Sequence, residues 1–225
     1  PSGSVWPLAD EFANQLLAAL DKAQLGYGAV KRFASPRRIA VAIFDLQAEQ
    51  KSQSVTRRGP AFAAAYDKEG KPTPALLGFA KSCGVDVEKL SRIETDKGDW
   101  IVYETLSQGN KTKDLLPALI SQSLAALPIA KPMRWGAGDE EFARPVHWAV
   151  MLYGDIVIEH SILGINSARN SRGHRFHHPQ FIVINSAQSY ESQMREAFVI
   201  ADFAIRKQMI KQQVEDLAAS IQATA

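Results

Sequence analysis

Cysteine is almost absent from this 225-residue chain: Cys83 stands alone. One thiol excludes an internal disulfide framework and a cysteine-based zinc site. Cys83 closes the helical-looking run Leu76-Leu77-Gly78-Phe79-Ala80-Lys81-Ser82-Cys83, where a structural, buried or half-buried thiol is expected. Long apolar runs are missing too, none approaching the roughly 20 residues of a membrane span. The opening Pro1-Ser2-Gly3-Ser4-Val5-Trp6-Pro7 lacks the basic-then-apolar pattern of a secretion signal, and no initiator Met precedes it. The expectation is a cytoplasmic protein without a membrane partner, processed or cut from a longer chain. Charge of one sign is also scarce: 26 Lys and Arg stand against 24 Asp and Glu, a net of +2. Any surface for a polyanion must therefore come from local clustering rather than overall charge.

The chain has little catalytic vocabulary. It contains no G-x-G-x-x-G and no G-x-x-x-x-G-K-S/T for cradling phosphates, and no G-x-S-x-G nucleophile elbow. His174, His177 and His178 lie close together, but H-x-x-H-H lacks the i, i+4 pairing of a helical zinc site and encloses no carboxylate. Arg172 and Arg175 beside them would repel a cation, so no metal is expected. A hydrolase or editing centre built on these histidines lacks partners for them. Asp139, Glu140 and Glu141 are consecutive and cannot all face one site. The expected catalytic inventory is empty.

What the chain does have is five short basic patches. They are Ser35-Pro36-Arg37-Arg38, Thr56-Arg57-Arg58-Gly59-Pro60, Met133-Arg134-Trp135-Gly136, Phe142-Ala143-Arg144-Pro145-Val146-His147-Trp148 and Ser171-Arg172-Gly173-His174-Arg175-Phe176. Each sets guanidinium groups beside Pro, Gly or an aromatic ring, where a turn holds them. Guanidinium is planar, permanently charged, bidentate towards phosphate and able to stack on flat rings. An arginine at a strand end also commonly pairs with a nearby carboxylate or caps a helix. Accumulation, the neighbouring Trp135, Trp148 and Phe176, and the scarcity of acids within the patches favour RNA. Duplex DNA is disfavoured because no recognition-helix pattern is visible.

Periodicity sets out an α+β chain of mixed sheets and packed helices. Leu8, Phe12, Ala13, Leu16, Leu17 and Leu20 mark an amphipathic helix over 7–25. Strands are expected at 29–33 and 39–46, joined by the Ser-Pro-Arg-Arg turn, with Arg37 and Arg38 projecting from a strand edge. Helices follow at 61–66, at 74–83 behind a Thr73 cap with Pro74 first, and at 86–90. A hairpin pairs 91–95 with 100–106, and Thr112 opens a helix to 127. Beyond it strands are expected at 146–153, 156–163 and 181–184. From Ala187 onward the pattern is helical, with Ile200, Phe203, Ile210, Val214, Leu217 and Ile221 on one stripe that still needs a partner. These cues divide the chain into an α+β domain (1–128), a strand-rich domain with basic loops (129–186) and a long connecting helix (187–225).

Eight segments in order carry a family resemblance: Ser-Pro-Arg-Arg-Ile-Ala, Arg-Arg-Gly-Pro-Ala, Asp-Lys-Glu-Gly-Lys-Pro-Thr, Ala-Lys-Ser-Cys-Gly, Thr-Asp-Lys-Gly-Asp-Trp, Lys-Pro-Met-Arg-Trp-Gly, Phe-Ala-Arg-Pro-Val-His-Trp and Arg-Gly-His-Arg-Phe. Together they resemble the N-terminal part of the bacterial glycyl-tRNA synthetase beta subunit. The resemblance implies a class II ligase of two alpha and two beta chains, with ATP, Mg and glycine handled on alpha and no cofactor bound here. It implies tRNA(Gly) and the alpha subunit as partners and no activity for this stretch alone. The tRNA-contact candidates by motif are Arg37, Arg38, Arg57, Arg58, Arg134, Trp135, Arg144, Arg172, His174, Arg175 and Phe176. The family's opening strand and Ile-Gly-Thr-Glu-Glu-Leu-Pro motif do not precede this chain's first Pro, and its HD-like and anticodon-binding parts are not in it. The Arg-Gly-His-Arg-Phe segment also resembles, at fold level, the B3/B4-type domain of the phenylalanyl enzyme's beta subunit. The rival expectation is a structural module whose arginines hold its own turns and the alpha subunit, with tRNA bound by other domains.

Overall fold

The computed structural model describes residues 5–96 and 98–222. In chain order its elements begin with helix α1 (Val5–Lys22), strands β1 (Val30–Ser35), β2 (Arg38–Ile43) and β3 (Gln53–Ala61), and helices α2 (Phe62–Ala65) and α3 (Pro74–Cys83). Strands β4 (Ser91–Thr95) and β5 (Gly98–Ser107) and helix α4 (Thr112–Ala125) follow. A run of short strands comes next: β6 (Met133–Arg134), β7 (Glu141–Phe142), β8 (Leu152–Tyr153), β9 (Ile156–Val157), β10 (Ser161–Ile162), β11 (Ile165–Asn166), β12 (Asn170–Arg172) and β13 (Phe181–Val183). Helices α5 (Tyr190–Glu196) and α6 (Phe203–Ser220) end the order. The fold is α+β, as the periodicity indicated, and its sheets are small and antiparallel. No helix among the described residues is long and apolar enough to cross a membrane.

The chain forms two compact units: residues up to Glu49 together with those from Asn110 onward, and residues 50–109. In the first unit, α1 turns Ala9, Ala13, Leu16 and Leu20 inward, the i, i+4, i+7 stripe expected of an amphipathic helix. Leu16, Leu20 and Leu25 pack with Leu115, Leu119 and Ile120 of α4. Each fully buried Leu contributes about 1.5–3 kcal/mol of transfer free energy. A second cluster sets Phe33 of β1 against Ile184, Met194 and Ala201, tying the β1–β2 hairpin to the segment around α5. The chain leaves and re-enters this unit at one place. Glu49 bridges Lys111, the Thr112 N–H donates to the Ala48 carbonyl at 2.8 Å, and the Thr112 hydroxyl donates to the Gln47 carbonyl.

The second unit is a three-stranded sheet in the order β3-β5-β4, covered by α2 and α3. Leu76, Ala65 and Ile101 form its core, with Phe62, Phe79 and Leu90 packed around them. Pro74 opens α3 as expected, and Gly84 closes it in the left-handed conformation at φ 70°. The Thr73 hydroxyl does not cap α3; it donates to the carbonyls of Ala64 and Ala65 and so holds α2 against the start of α3.

Three expectations change in detail. Strand β3 has no sequence signal, because residues 53–58 are exposed throughout and carry no apolar alternation. The strands expected over 146–163 shorten to the two-residue pairs β8–β9 and β10–β11. There the backbone turns to other partners: Ala168 bonds Ala149, and Ser167 bonds Ile158 and His160. The helical run expected from Ala187 is interrupted at 197–202. Phe198 takes φ 61°, its N–H reaches the Arg195 carbonyl, and the Val199 N–H reaches the Met194 carbonyl at 2.8 Å. This is the Schellman termination of a helix. Asp202 then opens α6 by accepting from the Ile205 N–H. The long C-terminal helix is therefore α6 alone, and Ile210, Val214, Leu217 and Ile221 of the expected stripe are exposed.

A candidate nucleic-acid interface

Pro36 and Arg37 form the turn between β1 and β2, and the register Ser35↔Arg38 places both arginines at that end of the ladder. The turn meets residues 172–178. An Arg37 guanidinium N–H donates to the Gly173 carbonyl at 3.3 Å, and one from Arg38 donates to the Arg172 carbonyl at 2.8 Å. Arg38 also approaches the Met194 thioether and lies 5.7 Å from the centre of the Trp148 ring. Its Nε is buried with no hydrogen-bond partner among the described residues. Burial lowers its pKa from the ordinary guanidinium value; the Tyr190 phenol opposes that shift and Arg37 adds to it. Two basic patches that are far apart in sequence thus form one place.

The loop that begins with β12 is ordered by backbone hydrogen bonds, one to the segment after α5 and one within the loop. The His174 N–H donates to the Ala197 carbonyl, and the His178 N–H donates to the His174 carbonyl. The His174 ring accepts at Nδ1 from the N–H groups of Phe176 and His177, both at 3.2 Å. Gly173 is required by close approach, since a Cβ there would lie 2.7 Å from the His178 carbonyl oxygen. Outside this frame Arg175 is exposed, 5.8 Å from the Phe176 ring centre, and Phe176 is 79% exposed. Arg172 lies 4.2 Å over Phe181. Among the described residues Arg37, Arg38, Arg172 and Arg175 have no carboxylate within ion-pair distance.

The other candidates occupy different places. Arg134 and Arg144 belong to the β6–β7 hairpin region. Arg134 pairs with Asp139 at 3.3 Å, both side chains being exposed, and Arg144 reaches the Met133 sulfur at 3.8 Å with no carboxylate partner among the described residues. Trp135 is half-buried beside them. Arg57 and Arg58 lie on β3 of the second unit. Arg57 donates to the Ser82 carbonyl, and Arg58 stacks 3.5 Å over Trp100.

The tRNA-contact candidates do not include Trp148, His177 or Phe198. The Phe198 ring is 60% exposed and lies 5.6 Å from His177. No periodic signal marks it, because it falls inside a run that reads as helix. Among the described residues no group of three or more His, Cys, Asp or Glu side chains is arranged to hold a metal ion.

The whole chain, residues 1–225, matches the family model described as glycyl-tRNA synthetase beta subunit. It is 46% identical over 219 residues to the glycine–tRNA ligase beta subunit of Marinobacter nauticus, which covers 97% of this chain and 32% of that protein. The protein of the same name from Hahella chejuensis is also 46% identical, with the same coverage. The one from Chromohalobacter salexigens is 43% identical over 225 residues, all of this chain and 33% of its own length. The chain spans about a third of the length of these relatives.

Proposed function

The chain belongs to the glycyl-tRNA synthetase beta-subunit family, and from that premise we propose that it supplies part of the tRNA-binding surface of a glycine–tRNA ligase. In this reading the chain is the N-terminal part of a beta subunit working in the cytoplasm. The class II active site, with its ATP, Mg and glycine, lies on an alpha subunit in an assembly of two alpha and two beta chains. This stretch contributes no catalytic group and is inactive alone. It presents arginines to the phosphate backbone and takes part in the contact with alpha.

The observation that carries the reading is the joining of the β1–β2 turn to the 172–178 loop, with exposed Arg37 and Arg175 free of carboxylates. Guanidinium groups held by backbone carbonyls keep their charge unneutralised for an incoming anion. The half-buried Arg38, its Nε shut off from solvent, and the Arg134–Asp139 pair favour the rival reading for those two residues, in which they brace the protein's own turns. The test is a salt titration of tRNA(Gly) binding to the assembled alpha and beta subunits. Arg37→Ala and Arg175→Ala should weaken binding, each flattening the dependence of log K on log salt by about 0.9 for a lost phosphate contact. Unchanged affinity and slope, with intact assembly, would move tRNA recognition to other parts of the beta subunit.

A further inference from the structure

Phe198 occupies a position that costs the fold something and returns it little. It is the residue just past the end of α5, where the Schellman turn demands a positive φ and glycine is the usual occupant. A bulky side chain at φ 61° is a backbone outlier. The compensation is not packing, since the ring is 60% exposed. The hydrophobic contact that accompanies this kind of turn is made by its neighbours, Val199 and Met194.

The ring instead extends a row of aromatics. Phe198 lies 5.6 Å from His177, His177 lies 4.5 Å from His174, and His174 lies 6.2 Å from Phe176. Neighbouring planes are tilted by 35° to 51° rather than stacked, so the rings do not consume one another's faces. Phe176, His177 and Phe198 are exposed, and His174 is half-buried between them. Exposed Arg37 and Arg175 belong to the same cluster, the former bonded to Gly173 and the latter next to Phe176.

We infer that this aromatic row, with Arg37 and Arg175 beside it, binds unpaired nucleotides of RNA, with one base stacked on Phe176, another on Phe198, and phosphate met by guanidinium. The inference rests on the tRNA-binding reading above and adds which part of an RNA the patch takes. A paired base has both faces covered by its neighbours; only an unpaired one offers a face to a protein ring. Exposed aromatics with cationic neighbours supply the two halves of single-strand binding: stacking that tolerates any base, and charge that follows the backbone. Arg38, drawn inward onto the Arg172 carbonyl, is a positioning residue for the loop rather than a contact.

The experiment uses the full beta subunit assembled with alpha and three probes: tRNA(Gly), an unstructured ribo-oligonucleotide and a blunt RNA duplex. Phe198→Gly removes the ring while suiting the backbone, and Phe176→Ala truncates a side chain outside the core. Each should weaken tRNA and oligonucleotide binding about tenfold, the scale of one lost base–aromatic stack. Duplex binding and the salt slope should stay as in the parent, and neither variant should lower the melting temperature. If both variants bind all three probes normally while Arg175→Ala weakens tRNA and flattens its salt slope, stacking is overturned and the tRNA surface stands. If none of the three variants changes RNA binding, the proposed surface falls with it. If Phe176→Ala and Phe198→Gly loosen assembly with alpha and leave RNA binding intact, the row is a protein contact and the inference is wrong.

Discussion

Arg38 carries its charge inward with no carboxylate among the described residues to meet it. The compensation comes from a carbonyl, a thioether and the face of Trp148, and from Tyr190, whose phenol packs on Phe33. Burial raises the Tyr190 pKa, and the Arg38 charge opposes the rise. Lys31, paired with Glu191 at 2.7 Å, is likewise raised, chiefly by its hydrogen bond to that carboxylate. Both shifts act in the same direction. Above about pH 10 an unfolded chain loses the tyrosine proton that the folded one keeps, so it binds fewer protons and stability falls. The lysine contribution is complete below its unfolded pKa and is lost as pH rises through the folded one. Urea unfolding should therefore be insensitive to these two groups at pH 7–9 and weaken above pH 10. Tyr190→Phe should keep the ring contact and make the alkaline loss shallower; an unaltered alkaline limb would show that Tyr190 is not its source.

At the scale of elements, the 172–178 loop is a single unit because each residue does a different job. Gly173 allows close approach, His174 gathers two N–H groups, and Arg172 lends its carbonyl to Arg38. Gly173→Ala must displace the His178 backbone rather than a movable side-chain tip, so it should cost about 1–3 kcal/mol by overpacking. It should also lower tRNA affinity without removing any charge. Denaturant unfolding beside a binding titration checks both; a variant of parental stability and affinity would show that the loop is not held this tightly. The Ser-Pro-Arg-Arg turn was legible because Pro36 sits between two apolar runs. Its docking on the loop was not, since 134 residues separate Arg38 from Arg172 in that bond. The break before α6 was hidden for a local reason: a Phe in glycine's usual place carries no stop signal.

For the whole molecule, the two units have separate cores. The strand of chain that enters residues 50–109 lies beside the one that leaves them, at the Glu49–Lys111 bridge. In the full beta subunit, replacing 50–109 by a short Gly–Ser linker should leave α1 and the β1–β2 hairpin folded. Their amide hydrogen-exchange protection should match the parent, whereas collapse of that protection would show the first unit to be dependent on the second. The sequence by itself determined the α+β class, the main helices, both well-formed hairpins and the family, because 3.6- and 2-residue periodicities, turn residues and ordered local motifs are short-range signals. Only the tertiary structure decided which arginines stand free. Arg37, Arg38 and Arg134 look alike as letters beside Pro, Gly or Trp, yet one is exposed on a turn, one is drawn into the protein and one is paired with Asp139. Whether a charge is desolvated, neutralised or presented depends on groups brought near by folding, and sequence spacing does not carry that distance.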